Sequence, residues 1–161
     1  MEKKYAGSEV LQMAVEIERK GKSYYDSIIK AVKDEKTRDV FQFLSDEEVR
    51  HEKVFKEMLE EIEPEPEGSP YDETEMILYF RFLIDRKIFP SPEEGESMKK
   101  VLDDPAVAIR IALSLEKDSV LFYHELLPIT PEKDRQAVER IIDEERDHIR
   151  RILQLKTELN V

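Results

Sequence analysis

The chain has no cysteine. That excludes disulfides, thiolate metal sites and cysteine nucleophiles. Backbone breakers are scarce and unevenly placed. There are four Gly in 161 residues, and all eight Pro fall between Pro64 and Pro131. Residues 8–62 contain no Pro and one Gly, Gly21, and residues 132–161 contain neither. No apolar run approaches the roughly 20 residues of a membrane-spanning helix. The opening stretch, MEKKYAGSEV, lacks the apolar core of a secretory signal. Positive charge is in deficit: 26 Lys and Arg against 38 Asp and Glu leave a formal net charge of −12. Such a surface repels phosphate backbones and attracts small cations. The expectation is a cytoplasmic protein with neither a nucleic-acid nor a membrane partner.

Apolar residues make up 40% of the chain, too many for a disordered one, and 161 residues suffice to bury a core without staples. Glu, Lys, Leu, Ala and Arg fill the breaker-free stretches, which predicts long helices. The first is expected over about 8–32, with Ser8 as its cap. The second runs over about 35–62 behind the cap Asp34, and so short a connection makes the two antiparallel neighbours. Residues 63–70, EPEPEGSP, read as a loop, 72–88 as a shorter helix and 90–96 as another loop. Asp104-Pro105 is an N-cap followed by Pro at the first helical position, opening a helix to about residue 127. Thr130 is expected to cap the last helix, which ends near residue 159. The expected architecture is all-α: one domain over 1–161 built of hairpins 8–62 and 105–159, joined by a long crossover, 63–104, that carries the extra helix.

The second hairpin repeats the first. Residues 35–51, EKTRDVFQFLSDEEVRH, and 132–148, EKDRQAVERIIDEERDH, are identical at seven of 17 positions. Upstream, 15–25 aligns with 113–123, placing Glu18 on Glu116 and Tyr25 on Tyr123. The offset is 98 residues upstream and 97 downstream.

Several carboxylates fall on apolar faces. Glu116 lies at helical spacing among Ile109, Ala112, Leu113, Val120, Tyr123 and Leu127. Glu18 lies likewise among Leu11, Ala14, Val15, Tyr25 and Ile29. Glu48 and His51 interrupt Phe41, Leu44, Phe55 and Leu59, and Glu145 and His148 interrupt Val138, Ile141, Ile152 and Leu155. Four carboxylates and two imidazoles therefore face one core. Burying them unpaired costs several kcal/mol per ion and adds mutual repulsion. Two dications would neutralise four carboxylates. Oxygen donors mixed with imidazole suit iron, manganese or zinc. One Glu from each of two helices and a Glu-x-x-His from each of two others is a known donor set of di-metal bundles.

The segments AVEIERKGKSYY, FLSDEEVRHEKVF, ALSLEKDSVLFY and IIDEERDHIRRI resemble the four helices of rubrerythrin-like proteins in the ferritin-like superfamily. The resemblance covers nearly the whole chain and is least specific in the crossover. It implies a four-helix bundle with two iron ions, a non-haem di-iron oxidoreductase acting on hydrogen peroxide, dioxygen or ferrous iron. It also implies roles: Glu18 and Glu116 as terminal ligands, Glu48 and Glu145 as bridges, His51 and His148 as single-nitrogen ligands. Peroxidase-type relatives carry a rubredoxin module with four Cys and an extra Glu one turn from the third helix's ligand. Here there is no Cys, and the corresponding positions are Leu113 and Ser119. The expectation becomes an external electron-donor protein, with ferrous oxidation or slow peroxide reduction rather than a fast peroxidase cycle. The alternative is a protein that holds or delivers metal without turnover.

Neighbouring residues receive blander expectations. Glu144 is expected to lie toward Arg151 in solvent. Glu47 shares a stripe with Val40, Phe43, Val54 and Met58, so it competes with Glu48 as ligand or supports it. Glu16 falls on a mostly polar face. Tyr25 and Tyr123, each seven residues after a stripe Glu, are expected mainly as core aromatics, with hydrogen bonding to a ligand carboxylate or electron transfer as the second role. His124 is expected at the edge or surface. The aromatic run 79–82 reads as a lid or the contact of a homodimer.

Overall fold

The structure is a computed structural model that describes residues 6–61, 73–84 and 104–161. The loops expected at 63–70 and 90–96 lie outside the described residues. Among those described there are five α-helices and no strand: α1 (Ala6–Ala31), α2 (Glu35–Glu60), α3 (Glu73–Ile84), α4 (Pro105–Leu126) and α5 (Glu132–Leu159). A single 3-10 turn, Leu127–Ile129, follows α4.

Local chemistry explains most of the ends. Asp34 accepts the Thr37 N–H at 2.8 Å and the Thr37 hydroxyl at 2.6 Å, satisfying one of the free donors at the start of α2. Asp104 accepts the Ala106 N–H at 3.0 Å, with Pro105 in the first turn of α4. α5 stops at Asn160, whose φ of 55° is a left-handed conformation that Asn tolerates. Two expected caps fail. Ser8 lies inside α1, which begins at Ala6. Thr130 does not cap α5. Its hydroxyl donates back to Leu126 O at 2.9 Å, and Pro131 holds the N-cap position without a side-chain bond. A residue preceding proline is pushed to extended backbone, and Thr130 adopts it (ψ 134°), so its hydroxyl closes the turn behind α4.

The core has two apolar layers. One gathers Val10, Met13 and Ala14 of α1, Phe55 and Met58 of α2, Phe122 and Leu126 of α4, and Val138 and Ile141 of α5. The other gathers Tyr24 and Ile28, Phe41 and Leu44, Ile109 and Ala112, and Ile152 and Leu155. α1 and α5 pass from the first layer to the second. α2 and α4 pass from the second to the first. The chain thus leaves α2 at one end of the bundle and enters α4 at the other, which requires a connection as long as the bundle. α3 lies in that connection and packs on α1 and α4. Its Phe80 meets Phe122 edge-on at 5.1 Å, and Ile84 is also buried. Phe80 is therefore core rather than lid, while Leu78, Tyr79 and Phe82 are exposed. No helix among the described residues is long and apolar enough to cross a membrane.

Candidate metal centre

Glu18 from α1, Glu48 and His51 from α2, Glu116 from α4, and Glu145 and His148 from α5 meet between the two layers. None is more than 5% exposed. Their donor atoms form two groups of four, each within 4.8 Å of one another: Glu18, Glu48, His51 and Glu145, and Glu48, Glu116, Glu145 and His148. Glu48 and Glu145 belong to both.

His51 Nδ1 stands 2.8 Å from Glu145 Oε1 and 3.4 Å from Glu18 Oε2. His148 Nδ1 stands 3.4 Å from both Glu116 Oε2 and Glu145 Oε2. The two imidazoles stack with centroids 5.5 Å apart. Despite this crowding, seven buried atoms have no hydrogen-bond partner: Glu18 Oε2, Glu116 Oε2, both oxygens of Glu145, Nδ1 of both histidines and His148 Nε2. A buried polar atom left unpaired costs roughly 1–3 kcal/mol. Glu18, His51, Glu116, Glu145 and His148, which carry these atoms, belong to the two groups whose donor atoms lie within 4.8 Å of one another, as ligands of common ions do. Charge agrees, since two dications balance four carboxylates. The residues fit a pair of divalent metals.

The other oxygens of the outer carboxylates are held. Tyr25 donates to Glu116 Oε1, and Tyr123 donates to Glu18 Oε1. Each tyrosine reaches into the opposite hairpin and leaves one carboxylate oxygen free, so the two are hydrogen-bond partners as well as core aromatics. Burial and the nearby carboxylates raise both phenol pKa values well above normal, so the hydroxyls stay donors.

The cluster's proton affinities are strongly perturbed. Burial, with Glu18, Glu145 and Glu116 alongside, pushes Glu48 well above the carboxylate range. Burial and the neighbouring Glu145 push Glu116 up to about 8. Burial works against ionising Glu145, but Glu116 and both histidines hold it below the usual carboxylate range. Burial likewise opposes charging the histidines, and the carboxylates prevail. Glu145 and Glu18 raise His51 to about 11, and Glu116 and Glu145 raise His148 to about 10.

Outside the histidines lies a polar rim. Glu144 Oε2 is 3.0 Å from His51 Nε2, and Arg50 reaches Glu144 at 2.6 Å and Glu47 at 2.7 Å. Glu144 is thus not turned toward Arg151, which instead covers the Phe43 ring at 4.2 Å. Glu47 also comes near a nitrogen of each histidine. Arg50 neutralises it and holds its carboxylate below the usual range, and Glu47 Oε2 stays 4.0 Å from His148 Nε2. Glu48 lies in the buried cluster and Glu47 at its rim. Glu16 pairs with Arg81 at 3.3 Å. His124 is exposed and lies 2.9 Å from Arg146. Sequence reasoning overlooked Arg50. It has no counterpart in the duplicate, where Asp147 stands, and that break in the repeat was its only signal.

Fold and cluster together define a ferritin-like carboxylate bundle with a candidate di-metal centre. A family model described as rubrerythrin matches residues 9–156. The chain belongs to the rubrerythrin family, which implies a di-iron site. A crystal structure from Thermotoga maritima, described as a ferritin-like diiron-carboxylate protein, superposes with a TM-score of 0.71 at 24% identity. The alignment covers 94% of this chain and 95% of that one, and it supports the fold. No curated protein matches significantly by sequence.

One consequence concerns Glu144. A partner that orients a ligating histidine typically controls metal affinity by 10–100-fold. Glu144→Ala is expected to weaken one of two metals by roughly that factor and leave the other nearly unchanged. Glu16→Ala is expected to alter neither. Competitive titration with a metal-binding dye reads both affinities.

Proposed function

We propose that this chain is a non-haem di-iron oxidoreductase of rubrerythrin type, reducing hydrogen peroxide or dioxygen or oxidising ferrous iron. Glu18, Glu48, His51, Glu116, Glu145 and His148 are its metal ligands, with Glu48 and Glu145 shared. The observation that carries this reading is the pair of overlapping buried groups of four donors, which share Glu48 and Glu145 and hold buried polar atoms without hydrogen-bond partners. Iron is the favoured metal, and manganese and zinc suit the same donors. When bound, the iron pair supplies reversible one-electron chemistry at each ion.

The protein's own contribution is positional. The two apolar layers limit bulk water. Tyr25 and Tyr123 hold one oxygen of each outer carboxylate, and Glu144 orients His51. These 161 residues contain no Cys and so no thiolate-bound redox centre, and an external electron-donor protein is part of the proposal. A homodimer completes the proposal, with the exposed Leu78 and Phe82 as its candidate contact.

A second reading, metal storage or delivery without turnover, draws support from Ser119. Its hydroxyl donates to Leu115 O at 3.1 Å, and neither Leu113 nor Ser119, the two positions one turn from Glu116, supplies the extra carboxylate of peroxidase-type relatives. Stoichiometry with peroxide separates the two. Reducing one peroxide to two waters takes two electrons and two protons. Protein loaded with ferrous iron under anaerobic conditions is expected to consume one peroxide per metal pair, then stop until a reductant is supplied. Failure of peroxide and dioxygen to oxidise the loaded protein would favour the carrier. Sustained consumption without reductant would overturn the proposed cycle.

A further inference from the structure

Gly21 sits one turn after Glu18 in the middle of α1, buried, and it is the only glycine between residues 8 and 62. Glycine in a helix interior is less stable than alanine, so a reason for its presence has to be found in the surroundings. Backbone conformation does not provide one, because Gly21 lies within the regular helix α1. Space does. A Cβ at position 21 would stand 3.0 Å from Glu48 Cδ and 3.1 Å from each Glu48 carboxylate oxygen. The Glu48 carboxylate rests face-on against the bare backbone of α1.

The duplicate supplies a comparison within the same molecule. The 98-residue offset places Gly21 on Ser119, which carries a side chain, is buried and bonds its own helix backbone. The two hairpins therefore differ at matched positions beside the centre.

We propose that Gly21 is a positioning residue for Glu48, its missing side chain providing the seat that holds this carboxylate where both four-ligand groups can share it. This rests on the reading of Glu48 as a shared metal ligand. The physical consequence has two parts of opposite sign. In metal-free protein the Glu48 carboxylate is the far end of a flexible side chain and can yield a few tenths of an ångström to a methyl group. With two ions holding it, it cannot yield, and the methyl group works against the bound geometry. A residue needed only for helix packing would shift both states together.

The test compares wild type, Gly21→Ala and Ser119→Ala, using zinc as a redox-inert probe and ferrous iron under anaerobic conditions. Metal-free Gly21→Ala is expected to melt at or above the wild-type temperature, since alanine is the better helix former. Its affinity for the metal pair is expected to fall by about tenfold or more, the range for groups that hold a ligand in place. Ser119→Ala is expected to stay within about twofold of wild type. Wild-type affinity for two zinc ions in Gly21→Ala would overturn the inference and leave the di-metal reading standing. A lowered metal-free melting temperature in Gly21→Ala would also overturn it, marking position 21 as packing. Fewer than two metals bound by the wild type would remove the di-metal reading and this inference with it.

Discussion

Glu145→Leu is expected to abolish binding of both metals, whereas Glu18→Leu or Glu116→Leu should each remove one. The contrast follows from membership. Glu145 belongs to both four-ligand groups, while Glu18 and Glu116 belong to one apiece. Metal analysis after anaerobic loading should read about zero, one and one ions per chain against two in wild type. The variant also carries a stability cost without metal. Glu145 Oε1 is 2.8 Å from His51 Nδ1, and its Oε2 is 3.4 Å from His148 Nδ1. Removing one partner from such a buried arrangement typically costs about 3–5 kcal/mol. The pKa of Glu145 is lowered in the fold, so its contribution is present above the unfolded value of 4.5 and is lost as pH falls through the folded value. The melting difference between metal-free wild type and Glu145→Leu should therefore be full near neutral pH and shrink in acid below 4.5. Glu145→Leu that keeps two metals would remove Glu145 from the ligand set.

Metal-free protein is expected to lose stability steadily as pH rises from the neutral range, while the metal-loaded protein does not. His51 and His148 are raised from 6.5 to about 11 and about 10. Their contribution is full below pH 6.5 and is lost as pH climbs through those folded values. Glu116, raised from 4.5 to about 8, loses its contribution over a lower window in the same direction, and Glu48 shifts in that direction too. Glu145 acts oppositely, as does Glu47 at the rim, and those losses are confined to acid. The combined decline is on the order of several kcal/mol. Near neutrality, protons on Glu116, His51 and His148 stand in for the ions, so loading two dications should release protons, on the order of three per chain. Metal affinity should rise with pH, and the gap between loaded and metal-free melting temperatures should widen from about pH 6 to about pH 9. Calorimetric melts, with titrations in buffers of different ionisation enthalpy, check both quantities. A gap that is flat or narrows with pH would mean that these groups do not exchange protons for metal.

Sequence alone determined a good deal about this protein. Scarcity of Gly and Pro in 8–62 and 132–161 dictates long helices, because little there interrupts hydrogen bonding or fixes unsuitable backbone angles. The caps Asp34 and Asp104 were readable because capping is a contact between residues two or three apart. The six charged or polar residues on apolar stripes were readable because helical periodicity converts spacing directly into a face, and the internal repeat paired them.

What sequence could not determine was contact across helices. Periodicity says which way Tyr25 and Tyr123 point, but not that each bonds the carboxylate of the other hairpin. That depends on how the hairpins are docked. Thr130 resembled a cap, yet the backbone restriction imposed by Pro131 turned its hydroxyl to the preceding helix. Met13, three positions before Glu16, is fully buried in the layer that also holds Phe80 and Ile84 of α3. Glu144 and Glu47 were separated from Glu145 and Glu48 by register, but their roles at the rim were settled by Arg50, which pairs with Glu47 of its own helix at 2.7 Å and crosses to Glu144 of α5 at 2.6 Å. Gly21 was visible from the start as a lone glycine in a helix. Only the packing of α2 on α1 showed that the empty place of its side chain is taken by the carboxylate of Glu48. Local spacing settles which residues share a face, and tertiary docking settles which atoms on that face meet.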